Sequence, residues 1–178
     1  EEVEKISSTA SKADTIAHRT ARTIRERMQE DPAFYRRFSD MLKAAIQAFR
    51  EERLKANEYL KQVQEIMNAV LNRTGDKIPQ ALAGHDIAKA YYGVLNQALS
   101  SFELNEDLAA SYALKIDEII ENLRIVNWAQ DNDVQNKMRI EIEDKIFELK
   151  EDSKQDFGFD EVDEIIEQCL DIARVRRP

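Results

Sequence analysis

Cysteine is nearly missing: Cys169 is the only one in 178 residues, which excludes an internal disulfide and fits a reducing compartment. Four glycines and three prolines are few. With 43% hydrophobic and 34% charged residues, that scarcity fits long amphipathic helices better than β-structure or disorder. Two histidines and one cysteine are too few and too badly spaced for a zinc site. No apolar run approaches the roughly 20 residues of a membrane span, and no signal peptide is visible. Neither a phosphate-cradling glycine loop nor a dinucleotide fingerprint occurs. Internal repeats, low-complexity tracts, convincing strands and sustained heptads are absent too. At 20.6 kDa the chain is one domain, or one domain with an appended arm, and buries a little over two-thirds of its unfolded surface, roughly, without staples.

What is present is a series of amphipathic helices. The first starts among Ser7 to Ser11 and runs to about Gln29, with a thin stripe of Ile16, Ala17, Ala21, Ile24 and Met28. Asp31-Pro32 opens the second: Asp fits the cap and Pro the first helical position. Its apolar face is Phe34, Phe38, Met41, Leu42, Ala45, Ile46 and Phe49. The third starts near Asn57, carries Leu60, Val63, Ile66, Met67, Val70 and Leu71, and stops at Thr74-Gly75. After a loop from Asp76 to His85, with a cap by Asp86, the fourth carries Ile87, Tyr91, Val94, Leu95 and Ala98. Asn105 caps a fifth with Leu108, Tyr112, Ile116, Ile119, Ile120 and Leu123. Asp131, Asn132 or Asp133 caps a sixth, whose stripe is Val134, Met138, Ile142, Ile146 and Leu149. Trp128 closes the end of the core before it, and its indole N–H needs a partner. Gly158-Phe159-Asp160 starts a seventh with Val162, Ile165, Ile166, Cys169, Leu170 and Ala173. Short connections between such helices predict an all-α antiparallel bundle of about seven helices. A connecting helix or arm over residues 1–30 leads into a helical domain over 31–178.

The net charge of -9 is unevenly spread. Residues 1–55 hold 12 Lys and Arg against 10 Asp and Glu, residues 56–130 hold 6 against 10, and residues 131–178 hold 8 against 15. Overall acidity argues against a dedicated nucleic-acid-binding domain, yet Lys12, Arg19, Arg22 and Arg25 share a side of the first helix and Arg36 and Arg37 follow nearby. These six are candidate DNA contacts, against the plainer reading of a solvated helical face. Tyr91, Tyr92, Tyr112 and Trp128 are candidate interface anchors, against the plainer reading of core. No active site can be assembled. His85-Asp86 reads as a solvated histidine beside a cap, and Asp131-Asn132-Asp133 lacks the glycine and later glutamate of a calcium loop. The pairs Asp117/Glu118 and Asp163/Glu164 are adjacent on helices and do not converge.

Several stretches together resemble the C-terminal helical region of the R subunit (HsdR) of type I restriction enzymes. They are ARTIRERMQEDPAFYRRFSDMLKAAI, ANEYLKQVQEIM, HDIAKAYYGVL, IVNWAQDNDVQNKMRIEIEDKIFEL and FDEVDEIIEQCLDIARVRR, in that order, covering most of residues 13–177. The most specific signals are Asp31-Pro32 with Tyr35, the Ala90-Tyr91-Tyr92-Gly93 turn of helix, and Trp128 followed by the helix start from Asp133 to Arg139. The resemblance implies a non-catalytic domain ending an ATP-dependent DNA translocase and endonuclease subunit. That subunit's ATP and Mg2+ are used in earlier domains, so this chain needs no cofactor. The implied partners are the methyltransferase and specificity subunits, with non-specific contact to double-stranded DNA as a second expectation, in a bacterial cytoplasm and with no membrane. The competing reading is an unrelated regulatory helical domain that binds another protein. Because the chain starts at Glu1 without a methionine, we read it as a piece of a longer protein.

Overall fold

A computed structural model describes residues 8–74 and 78–178. Among them are seven α-helices and no strand: α1 (Thr9–Arg27), α2 (Pro32–Arg50), α3 (Ala56–Asn72), α4 (Asp86–Ala98), α5 (Glu106–Leu123), α6 (Asn132–Ser153) and α7 (Phe159–Arg176). Single 3-10 turns at Gln80–Leu82 and Trp128–Gln130 lead into α4 and α6. The fold is the expected all-α antiparallel helical bundle. Its contacts divide it into two compact units, one of residues 1–28 and 34–76 and one of residues 29–33 and 77–178. The sequence suggests a break after residue 30 instead. In the structure α1 is a packed member of the first unit, along α3.

Local chemistry sets the helix ends. Ser8 caps α1 by accepting from the Ser11 N–H at 3.1 Å. Pro32 is the first residue of α2, where its missing N–H costs nothing. Glu58 reaches back to the Lys55 N–H (2.8 Å) at the start of α3, and Glu161 does the same for Gly158 (2.8 Å) at α7. The Asn105 side chain accepts from Leu108 (3.0 Å), and Asp131 accepts from both Asp133 (3.0 Å) and Val134 (3.1 Å). Asp86 is not the cap of α4. His85 holds that position without a side-chain hydrogen bond, and Asp86 sits in the first turn and pairs with Lys89 at 2.8 Å. Arg73 ends α3 in the left-handed region (φ 50°), with its N–H on the Ala69 carbonyl. Ser7 and Gly75, named above at helix ends, and Asp76, named as the start of a loop, lie outside the described residues.

In the first unit, α1 and α3 approach closely because the facing residues are small or β-branched: Ala13, Ile16, Ala17, Thr20 and Ile24 against Val63, Ile66 and Val70. α2 buries larger groups, Phe34, Tyr35, Phe38 and Leu42, and its backbone hardly approaches either neighbour. Phe49 of α2 stacks on Tyr59 of α3 with centroids 4.5 Å apart, and the Tyr59 hydroxyl donates to Asp14 of α1 at 3.1 Å. Burial and that carboxylate push the Tyr59 phenol up to about 12.

The second unit has one continuous core. α5 lies between α4 and α6, and α7 packs on both. Its buried side chains include Tyr91, Leu95, Ile116, Ile120, Trp128, Met138, Ile142, Ile146, Ile165, Cys169 and Leu170. Each such aliphatic group contributes roughly 1.5–3 kcal/mol on leaving water. Burial alone raises the Cys169 thiol, so it is a small core hydrophobe rather than a nucleophile.

Candidate functional site

The candidate DNA contacts lie on the first unit. Arg19, Arg22 and Arg25 are exposed on α1, and Lys12 is half-buried beside them. The row is not purely basic. Glu26 accepts from Arg22 Nε at 2.7 Å, and that bond raises the guanidinium's already high pKa. Arg36 and Arg37 are exposed near the start of α2, where the Arg37 guanidinium lies 4.9 Å from the centre of the Phe38 ring. The two sets stand on separate helices whose backbones hardly approach. What they share is an unbalanced background. The described residues of the first unit hold thirteen Lys and Arg against seven Asp and Glu, a balance of +6. Those of the second hold eleven against twenty-four, a balance of -13. The acidity of the whole chain therefore conceals a cationic half.

The four aromatic candidates are brought together in the wrong sense for anchors: Tyr91, Tyr92, Tyr112 and Trp128 are all buried in the second unit's core. The Trp128 indole N–H donates to the Arg177 carbonyl at 2.6 Å, the partner its burial demands. The Tyr112 hydroxyl donates to Asp152 at 2.6 Å while Lys115 lies 3.7 Å from the ring centre. Burial, then that carboxylate, raises the Tyr112 phenol. Tyr91 is raised chiefly by burial, and its hydroxyl has no hydrogen-bond partner among the described residues. Surfaces need exposed groups, and those are others: Met41 (46% exposed), Leu71 (59%), Val126 (88%) and Phe159 (72%) among them. Ile125 and Val126 form an apolar run with Trp128 in the sequence. They are exposed because the chain leaves α5 extended at Arg124 and turns left-handed at Asn127 (φ 61°), which sends only the tryptophan inward.

One broad apolar feature was not visible beforehand. Because α2 stands off from α3, a trough of about 1010 Å3 opens between them. Ala44, Ala45, Ala48 and Ala69 are its small residues. Phe38, Met41, Leu54 and Ile66 are its bulky ones, and Arg37, Gln47, Arg53, Gln62 and Glu65 form its polar edge. The alanines were the available signal, but a helical pattern shows which face is apolar and not whether a neighbour fills it.

A second cluster joins the most specific sequence signals. The Gln29–Ala33 turn belongs to the second unit, where Asp31 is 3% exposed. A side-chain carbon placed on Gly93 of α4 would lie 2.9 Å from the Ala33 Cβ, so glycine there lets the turn seat on α4. Three arginines at the end of α7 fan outward from the same region. Arg174 donates to Gln135 of α6 (2.7 Å), Arg177 pairs with Asp117 of α5 (2.7 Å) and with Glu121, and Arg176 reaches the carbonyls of Glu30 and Asp86 (3.5 Å each). Motifs distant in sequence are thus parts of one packed junction, with structural work to do.

Among the described residues no three His, Cys, Asp or Glu gather as a metal-ligand set, and no helix is long and apolar enough to cross a membrane. The Asp131 carboxylate is engaged in its cap. No curated protein and no solved structure matches the chain. A protein-family model does, over residues 1–175, and its description is "Type I restriction enzyme HindI endonuclease subunit-like, C-terminal". With nearly the whole length matched and the all-helical architecture as expected, the chain belongs to the family of C-terminal domains of type I restriction endonuclease (HsdR-like) subunits.

Proposed function

We propose that this domain is the assembly module of a type I restriction motor subunit, holding that ATP-dependent translocase and endonuclease on its methyltransferase and specificity subunits. The observation that carries the reading is the family match across residues 1–175. The fold supports it: rigid helical surfaces with exposed apolar groups such as Met41 and Leu71 are suited to a shape-complementary interface with a polar rim. The chemistry of cleavage and ATP hydrolysis belongs, in this reading, to other domains of the subunit, and the module works by binding. In the test, the 178-residue chain is titrated into a complex of methyltransferase, specificity and intact R subunits. Displacement of intact R subunit, read by its mobility or by loss of restriction activity, is expected. No displacement at high micromolar concentration overturns the reading.

A second role is favoured by the +6 balance of the first unit's described residues: non-specific contact with double-stranded DNA through Lys12, Arg19, Arg22, Arg25, Arg36 and Arg37. Four phosphate contacts give a slope of log affinity against log salt of roughly -3.6. A salt-insensitive affinity, or none at low salt, removes this role and leaves the assembly role standing.

A further inference from the structure

We infer that the seam between α6 and α7 is a docking surface for a basic amphipathic helix of a protein partner. The inference rests on the assembly reading in taking that partner to be part of the restriction complex. The chemistry of the surface comes from the second unit alone.

Two contacts fix the seam. Arg139 of α6 pairs with Glu167 of α7, and Phe147 of α6 meets Phe159 of α7 edge-on, with ring centres 5.8 Å apart. The contacts are eight residues apart on each helix and run in opposite directions, which puts Glu143 and Asp163 midway, one turn from each. Ile140 and Asp144 follow the same edge of α6, Ile140 two turns before Phe147. Apolar surface is left in water here: Phe159 is 72% exposed and Ile140 58%. From Ile140 to Phe147 the edge is about 10 Å long at 1.5 Å per residue, a length that the apolar stripe of a helix of about three turns can cover. Covering it is favourable in proportion to the area removed.

Its charge selects the occupant. Glu143, Asp144, Asp160 and Asp163 stand among these apolar groups, and among the described residues none of the four carboxylates has an ion pair or a hydrogen bond. The nearby cations of α6 are committed elsewhere: Arg139 to Glu167, Lys145 to Glu148 and Lys150 to Asp156. Lys137, one turn before Ile140, and Lys154, at the end of α6, stand at the margins. The positive end of the α7 dipole accounts for Asp160, in its first turn. It does not account for Glu143, Asp144 and Asp163. In a unit whose described residues balance at -13, these three are carboxylates that a partner's Lys and Arg find unneutralised. The exposed Phe159 ring also offers its face to an incoming guanidinium. A nucleic acid, itself a polyanion, is repelled by the same groups.

The test uses the full chain with two probes. One is a labelled helical peptide of about three turns, with leucines along one face and arginines beside them, and a scrambled control. The other is the methyltransferase–specificity complex. Phe159→Ala removes the exposed ring, and the double variant D144K/D163K reverses two exposed carboxylates of the seam. A control, E65K/E118K, makes the same change of net charge at exposed positions on α3 and α5. At least tenfold weaker binding of both probes by each seam variant is expected, with unchanged helical circular dichroism and less than a twofold change for the control. If D144K/D163K loses helicity, Phe159→Ala decides. A peptide bound no better than its scrambled control overturns the inference, and so does a control that weakens binding as much as D144K/D163K. Complex binding that neither seam variant weakens overturns it too, and leaves the assembly reading intact. Peptide binding that the seam variants abolish, with no binding of the complex by wild type, supports the docking surface and overturns the assembly reading. Dimerisation of wild type that Phe159→Ala abolishes would seat a second copy there and overturn the inference.

Discussion

The two units solve the packing problem differently. The first has thirteen buried apolar side chains among the described residues and the second twenty-eight, so the second holds the larger share of hydrophobic stabilisation. In the first, one helix is held off by its own aromatic side chains, leaving an open trough and a cationic surface. In the second, four helices close on one another and the surface is strongly acidic. Closure and charge go together for a reason. Like charges repel across any compact surface, and a balance of -13 among the described residues calls for a core large enough to offset it. The smaller unit has less core to spend, and its groups left uncovered are those a partner could cover.

The largest expected break of that comparison is Trp128→Ala. It removes the biggest fully buried side chain and orphans the Arg177 carbonyl, for a cost of about 3–5 kcal/mol. Denaturant titration by circular dichroism should show the second unit's transition moved down and the first unit's midpoint unmoved. In wild type the single tryptophan reports the second unit alone. Fluorescence should therefore change at higher denaturant than the first helical loss, the departure from coincident transitions expected of unequal units. Coincident curves from both probes would show the two melting as one.

Next in size is the junction. Gly93→Val must push Ala33 away or distort α4, for about 1–3 kcal/mol of overpacking. Arg177→Met leaves the Asp117 carboxylate, itself 17% exposed, without its guanidinium, for about 1–3 kcal/mol. Thermal melts of both variants should lower the second unit's midpoint and spare the first unit's. A wild-type midpoint for Gly93→Val would mean that the turn does not seat on α4.

These positions mark how far a sequence alone could be read. Periodicity and capping chemistry act within a few residues, so α1 to α7 were legible, with the Asn105 cap, the α6 cap narrowed to three neighbours that include Asp131, and the proline start of α2. Partners distant in the chain were not. That Trp128 would be buried followed from its place in an apolar run, but its acceptor lies 49 residues on, at Arg177. The aromatics named as anchors belong to the core, because a tyrosine on an apolar stripe looks the same whether a neighbouring helix or a partner covers it. The trough depends on how far α2 stands from α3, which the sizes of Phe34, Tyr35 and Phe38 set only once the helices have met.

Alkaline pH should separate the units more gently. Tyr59 in the first unit has its phenol raised to about 12, so it stays neutral in the folded state where an unfolded tyrosine, near 10, would ionise. A raised pKa gives stability that is complete below the unfolded value and is lost as pH climbs through the folded one. The Tyr59 contribution is therefore present below about pH 10 and gone above about pH 12. The second unit holds three such groups, Tyr91, Tyr112 and Cys169, all raised by burial. Its loss should begin earlier, as pH passes the thiol's ordinary value, and run deeper. Midpoints measured from pH 8 to 12 should fall further for the second unit, and Cys169→Ala should flatten the earliest part of its fall. An equal decline in both units would contradict this.

The smallest effect belongs to the charge on α1. Glu26 engages Arg22 within the basic row, so it both holds that guanidinium and cancels part of the local field. If the row meets DNA, Glu26→Gln should tighten non-specific binding at low salt and steepen the salt slope by at most about 0.9, the share of one additional phosphate. Arg19→Ala and Arg25→Ala should each lower the slope by a similar amount. Tm of the isolated domain should hardly change, since all three side chains are exposed. Equal slopes for wild type and all three variants would make the basic row a solvated helix face, and the difference in charge between the units would then serve solubility and partner choice rather than DNA.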